Sequence, residues 1–270
     1  MERLHMSLPG MSVQSFDMLT YAKMRADTIN TTPGNETGYD CPECMNRGMM
    51  AYPREDGSIF TRACKCMTIR RCVREMERSG LKNCIRELTF EAYKATEPWQ
   101  KALKTGIMEY AREGSGWLLV GGQSGSGKTH LCTAVSRKLL WEGKELLYMP
   151  WREKIVQLKA MSLDSEKRTK MMEAWKTAQV LYIDDLFKTG KGADGSESPS
   201  QADIGLAFEI LNHRYINHLP TILSTERTPQ ELVAIDEATG SRIIEAAGKH
   251  VYSIGRDQKR NYRLRHVTEL

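Results

Sequence analysis

The chain has 270 residues, 40% of them hydrophobic and 27% charged, with a formal net charge of +5. That length supports one or two domains with a real core, and the mild basic excess permits nucleic-acid contact without requiring it. No apolar run approaches the roughly 18 residues of a membrane span, and Met1 to Gly10 lacks the apolar centre of a signal peptide, so a cytoplasmic protein with no membrane partner is expected. Its seven cysteines are then expected as free thiols or metal ligands, and six of them fall between Cys41 and Cys84.

The first 38 or so residues are Met-rich and weakly patterned. Val13, Phe16, Leu19 and Ala22 have the spacing of one amphipathic helix. Thr31-Thr32-Pro33-Gly34-Asn35 is a turn-rich break. Cys41-Pro42-Glu43-Cys44 follows, then nineteen residues, then Cys64-Lys65-Cys66. Two cysteine pairs at this separation suit a tetrahedral Zn²⁺ with four thiolates, a structural site because no coordination position stays open. The second pair is one residue tighter than the usual spacing, which leaves Cys72 as a substitute ligand and four unrelated thiols as the bland alternative. Met49 to Thr61 reads as a hairpin with Arg54-Glu55-Asp56-Gly57 at its tip. Met67 to Arg78 is helix-compatible and basic through Arg70, Arg71, Arg74 and Arg78; a solvated face and a partner-binding face both fit.

Domain organisation follows as an N-terminal domain over 1–88, with the zinc module at about 38–68, and a second domain over 89–270. Pro98 precedes a helix from Trp99 to Arg112, with Leu103, Ile107, Met108 and Ala111 on its inward face. From Gly114 on, strands alternate with helices: Trp117–Val120, Glu145–Met149, Gln179–Ile183, Thr221–Ser224 and Val251–Ile254. That alternation predicts an α/β fold with a parallel sheet flanked by helices.

Gly122-Gln123-Ser124-Gly125-Ser126-Gly127-Lys128-Thr129 sits between the first of these strands and a helix beginning at His130. Strand, glycine-rich loop, Lys-Thr and helix make a phosphate-binding P-loop. Glycines let backbone N–H groups point inward at a triphosphate, and the helix N-terminus adds unpaired donors. Lys128 is suited to the β/γ-phosphates and the Thr129 hydroxyl to Mg²⁺. Val180 to Ile183 runs into Asp184 and Asp185, an apolar strand ending in carboxylates: Asp184 for Mg²⁺, Asp185 for the attacking water. Aspartate is shorter than glutamate there, so slow hydrolysis is expected. Lys188 to Pro199 reads as a mobile loop. Ser224 and Thr225 end a buried strand at the sheet edge where ligands bind, placed to sense the γ-phosphate. Arg242, near the start of a helix at Gly240, is a candidate arginine finger. The tail from Arg256 to Arg265, with Lys259, Arg260, Tyr262 and Arg263, suits single-stranded nucleic acid or is a final strand with solvated charges.

In this order, these motifs resemble a DnaC/DnaI-type replicative helicase loader of the AAA+ superfamily, of the kind found in Gram-positive bacteria and their phages. The resemblance is carried by Tyr39 to Cys44, Gly122 to Thr129, Tyr182 to Phe187, Asn212 to Tyr215, Leu219 to Ile222 with Ser224 to Glu226, and Asp236 to Ile243. It implies an AAA+ P-loop NTPase that binds ATP, with Gly122 to Thr129 as Walker A, Asp184 and Asp185 as Walker B, Ser224-Thr225 in the sensor 1 region and Arg242 as a finger acting in trans. It implies self-association in the ATP state, a reduced or absent helical lid, a zinc-bearing N-terminal domain that grips a DnaB-type helicase hexamer, and an ATPase domain that engages single-stranded DNA. An IstB-like transposase helper shares the ATPase core. A zinc scaffold that binds ATP with little turnover is a reading of another class.

Overall fold

A computed structural model of the chain describes residues 17–78, 84–161, 164–189 and 198–264. It divides into two compact units that meet between Arg70 and Arg71.

In the first unit, α1 (Met18–Thr31) is capped by Asp17, whose carboxylate accepts from the Leu19 N–H at 3.2 Å. Ala22 and Ala26 face inward. Val13 and Phe16, expected on the same face, lie outside the described residues. β1 (Met49–Pro53) and β2 (Ile59–Ala63) pair antiparallel, as the hairpin pattern predicts. Asn30 completes the open edge of β1: its amide donates to Ala51 O at 2.9 Å and accepts from Ala51 N at 2.8 Å. One side chain of α1 thus does for β1 what a neighbouring strand would do.

α2 (Cys66–Arg78) runs across the junction between the units. Arg71 and Arg74 are exposed, but Arg70 is fully buried, which removes it from the basic face the sequence suggested.

In the second unit, α3 (Cys84–Glu87) leads to α4 (Pro98–Glu113), started by Pro98 at its first turn and by Gln100, which reaches back to the Glu97 N–H at 3.0 Å. Its buried face is Gln100, Leu103, Ile107, Tyr110 and Ala111; Tyr110, rather than Met108, completes it. Five parallel strands then form one sheet in the order β4-β5-β6-β3-β7: β3 (Trp117–Gly122), β4 (Leu146–Pro150), β5 (Val180–Asp184), β6 (Thr221–Ser224) and β7 (Val251–Ile254). β3 and β5 are buried along their whole length, as strands covered on both faces must be. The helices between them are α5 (Lys128–Trp141), α6 (Trp151–Ala160), α7 (Ser165–Thr177), α8 (Gln201–Ile216), α9 (Pro229–Ile235) and α10 (Glu237–Ala247). Gly240 lies inside α10 rather than opening it. A Cβ there would sit 2.6 Å from Val233 N, so glycine permits α9 and α10 to touch.

Arg214 is the polar centre of this unit. Fully buried on α8, it donates to Thr221 Oγ1 at 2.9 Å and to the carbonyls of Trp175 (3.0 Å), Lys176 (3.1 Å), Ala178 (2.9 Å) and Pro220 (2.6 Å). It therefore satisfies the open carbonyls at the C-terminus of α7. After β7 the described chain forms two short 3₁₀ turns, Gln258–Arg260 and Tyr262–Leu264.

Candidate functional site

The C-terminal ends of β3, β5 and β6 open onto a cleft of about 1090 Å³. Ser124 to His130 line it, with Asp184 and Asp185 opposite. The turn from β3 into α5 has left-handed backbone at Gly122 (φ 104°), Gly125 (φ 71°) and Gly127 (φ 92°). At Gly122 a side chain would also overlap the Ile254 carbonyl, so glycine is required twice over, by torsion and by space. Ser126 Oγ donates to Gln123 O at 2.7 Å and fixes the loop from within.

Lys128 is 5% exposed, and its ammonium donates to the Gly122 and Gln123 carbonyls, each at 2.8 Å. Burial pushes its pKa down, with Glu226 and Asp185 opposing. The side chain is folded over the loop its charge would leave when a phosphate arrived. His130 Nε2 lies 2.8 Å from Thr89 O and its ring meets Tyr93 edge-on, tying α5 to the connector before α4.

Thr129 Oγ1 donates to Asp184 Oδ1 at 3.2 Å, across 55 residues of sequence. Three more hydroxyls converge on Asp184: Tyr148 (3.0 Å), Tyr182 (2.9 Å) and Ser224. Burial nevertheless pushes its carboxyl up, with Asp185 adding to the effect and the hydroxyls working against it. A buried carboxylate beside a threonine hydroxyl is a set of hard oxygen donors, which suits Mg²⁺. Ser224 also accepts the Asp185 N–H at 2.9 Å, so one hydroxyl braces both acidic residues. Thr225 Oγ1 donates to Leu186 O at 2.8 Å and holds the turn behind them. Ser224 and Thr225 are fully buried and lie behind the cleft wall formed by the described residues.

Asp185 (φ 57°) and Phe187 (φ 61°) are left-handed and fold the chain back, so that Lys188 Nζ reaches Asp185 Oδ2 at 2.8 Å and Glu226 Oε1 at 3.2 Å. Of the loop expected over Lys188 to Pro199, residues 190–197 lie outside the described residues. Sequence reasoning gave no role in the site to Lys188, Glu226, Tyr148 or Tyr182. A tyrosine in the strand and another on its neighbour carry no motif, and only the register, with Tyr148 beside Tyr182, brings both to one carboxylate.

Arg242 stands apart from this cleft. Its guanidinium lies over Phe208 (5.3 Å) and Tyr215 (5.9 Å) and donates to Ala238 O at 2.7 Å. The tail places Arg260, Tyr262 and Arg263 on the cleft.

A second site lies in the first unit. The sulfurs of Cys41, Cys44, Cys64 and Cys66 are buried and all lie within 4.8 Å of one another, close enough to hold a metal. Cys41 and Cys64 are 3.7 Å apart, and Cys44 and Cys66 3.6 Å. Four thiolates around a tetrahedral zinc would stand about 3.8 Å apart, so the cage has the right size. Left-handed Met45 and Asn46 make the knuckle after Cys44, and Gly48 N aims at the Cys44 sulfur at 3.4 Å. Asn46 Oδ1 accepts from Cys41 N and from Arg70, both at 2.9 Å, so buried Arg70 buttresses the cage. Cys72 is not part of it.

Compared with known proteins, residues 56–266 match the model of the family described as IstB-like ATP binding protein. The chain belongs to that family. It is 34% identical to the phage-like element PBSX protein XkdC of Bacillus subtilis (strain 168), over 85% of this chain and 88% of the relative. It is 21% identical to the replicative helicase loader DnaC of Escherichia coli (strain K12), over 73% of this chain and 78% of the relative. A crystal structure of the DnaI superposes with TM-score 0.50 at 18% identity, over 64% of this chain and 92% of that one. A DNA replication initiation factor superposes with the same TM-score at 19% identity, over 66% of this chain and 53% of that one. The fold is thus an AAA+ α/β domain of the IstB/DnaC kind, preceded by a cysteine cage able to hold zinc, and the family is one of ATP-binding proteins.

Proposed function

We propose that this protein is an ATP-dependent loader that delivers a DnaB-type replicative helicase hexamer onto single-stranded DNA. The observation that carries the reading is the pairing of an IstB/DnaC-type ATP cleft with a separate four-cysteine unit in one chain, together with similarity to a protein named as a helicase loader.

In the nucleotide site, N–H groups of Gly122 to Thr129 surround the phosphates and Lys128 turns from the loop carbonyls to them. Thr129 and Asp184 would hold Mg²⁺, which supplies positive charge to the β- and γ-phosphate oxygens. Asp185 positions the attacking water, Ser224 and Thr225 fix both acidic residues, and His130 seats the helix. Lys188 holds Asp185 in an ion pair, which supports slow, switch-like hydrolysis. Arg242, standing outside its own cleft, completes the site of a second copy, so self-association follows ATP. Cys41, Cys44, Cys64 and Cys66 hold Zn²⁺ as a structural ion, and their unit is the one that grips the helicase.

The test is capture of the cognate helicase by the full chain, followed by delivery to single-stranded DNA. The intact protein should capture and release; Cys44→Ser should lose capture; Lys128→Ala and Asp185→Asn should capture but fail to release. Absence of helicase capture in every nucleotide state overturns the reading. The family match itself favours a second one, an ATPase helper of a transposase, and stimulation of a transposase without helicase capture would establish it.

A further inference from the structure

One face of the β1–β2 hairpin carries a row of rings and guanidinium groups. Cross-strand pairing sets Tyr52 opposite Phe60 and Met50 opposite Arg62. The two-residue alternation of a strand adds Arg54 to the same row, its N–H donating to Ser58 O at 2.8 Å just beyond the last strand pair. Buried Ala51 lies on the opposite face. Tyr52 and Phe60 stack, with ring centroids 5.4 Å apart and planes inclined by 27°. Arg54 lies 5.1 Å from the Phe60 centroid and Arg62 5.2 Å. One arginine approaches from the turn and the other from the end of β2, so the two bracket the ring.

Tyr52 keeps 41% of its surface exposed, and both arginines are exposed. Among the described residues neither guanidinium makes a hydrogen bond or ion pair. No acidic residue falls in the row. Asp56, at the turn, is occupied by Ser58, which donates to it from N at 2.9 Å and from Oγ at 2.6 Å. Those bonds, ahead of the Arg54 charge, hold its carboxyl below the ordinary value. Stacking therefore fixes the two cations in place without using their donors. Such a face is matched by unstacked bases joined through phosphates: bases stack on tyrosine rings and guanidinium planes, and the spare N–H groups take phosphate oxygens. A duplex hides its π-faces and fits only the charges.

We propose that this face of the hairpin is a binding surface for single-stranded nucleic acid. Tyr52 is the stacking platform, Arg54 and Arg62 are the phosphate contacts, and Phe60 is the residue that positions both arginines. The surface belongs to the first unit, whereas the nucleotide cleft and the basic tail belong to the second. It rests on neither the ATP reading nor helicase capture.

Fluorescence anisotropy of a labelled oligothymidylate with the full chain, over a salt series, tests it. Tyr52→Leu, which keeps an apolar cover but removes the ring, should weaken binding by about tenfold, within the range of one stacked base. Arg62→Gln should lower the slope of log affinity against log salt by about 0.7, the counterion release of one phosphate on a single strand. Arg62→Lys should restore the slope but only part of the affinity. Photocrosslinking isolates this face from any other contact: an oligonucleotide bearing 5-iodouracil should leave its adduct on Tyr52 or Phe60, located by mass spectrometry. Arg62 is exposed, so Arg62→Gln should keep the wild-type circular dichroism and metal content. Unchanged affinity and slope in both variants, with adducts confined to the second unit, overturn the inference and leave the loader reading standing. Duplex bound as tightly as single strand also overturns it. Weakened helicase capture with unchanged strand affinity makes the face a protein contact instead. Strand binding lost in Tyr52→Leu, in a protein that captures no helicase, overturns the loader reading alone.

Discussion

Lys188 shows how much of the site depends on single side chains that no motif marks. It bridges Asp185 and Glu226, at 2.8 and 3.2 Å. Burial alone would raise the Glu226 carboxyl, but Ser124 and Lys188 outweigh it and hold the group below its ordinary value. A carboxylate with a depressed folded value stabilises the fold fully above its unfolded pKa of about 4.3, and that contribution is lost as pH falls through the folded value. Lys188→Ala should therefore move the acid-unfolding midpoint, followed by circular dichroism, to higher pH. An unmoved midpoint would mean that the ion pair adds nothing. Only the two left-handed residues after β5 bring residue 188 back onto 185, and nothing in the residue types Leu186-Phe187 announces that turn.

At the scale of elements, the strand pattern was largely legible: the five strands lie where the alternation of apolar runs predicts, with ends displaced by no more than two residues. Their shared burial makes them readable, since a strand covered on both faces is a continuous apolar run. The helices were less so. Arg214, near the end of α8, is fully buried, and burial pushes its pKa down to about 10. Its donors reach α7, β6 and the turn between α8 and β6, so it joins elements that the sequence leaves separate. Arg214→Met should leave several carbonyls without partners at about 1–3 kcal/mol each, and urea unfolding should show a loss of at least about 3 kcal/mol. A loss below about 1 kcal/mol would show that water replaces the guanidinium.

At the scale of the whole molecule, the two sites are built from separate stretches of chain. The cysteine cage uses residues between Cys41 and Arg70, and the nucleotide cleft uses residues from Leu88 to Arg263. Elemental analysis should find about one zinc per chain, the number that four thiolates hold. Cys44→Ser and Cys66→Ser should lose it and should lower the melting temperature, because in so small a unit metal binding is folding free energy. ATP affinity should remain within about twofold of the wild type, since the cage and the cleft are built from separate stretches of chain; this bound is far below the tenfold that one charge-assisted contact is worth. A metal content unaffected by either substitution would remove the cage as the zinc site.

The sequence by itself determined the phosphate loop, the paired aspartates, the cysteine pairs and the parallel sheet. These are local: a glycine torsion, a strand end and a two-residue knuckle each fix geometry within a few positions. Only the tertiary structure decided that Arg70 buttresses the cage, that Tyr148, Tyr182 and Ser224 share Asp184, that Lys188 guards Asp185, and that the basic tail lies on the phosphate loop. Each of these joins residues distant in the chain, and such a contact is fixed by strand order and packing, which no spacing within one segment encodes.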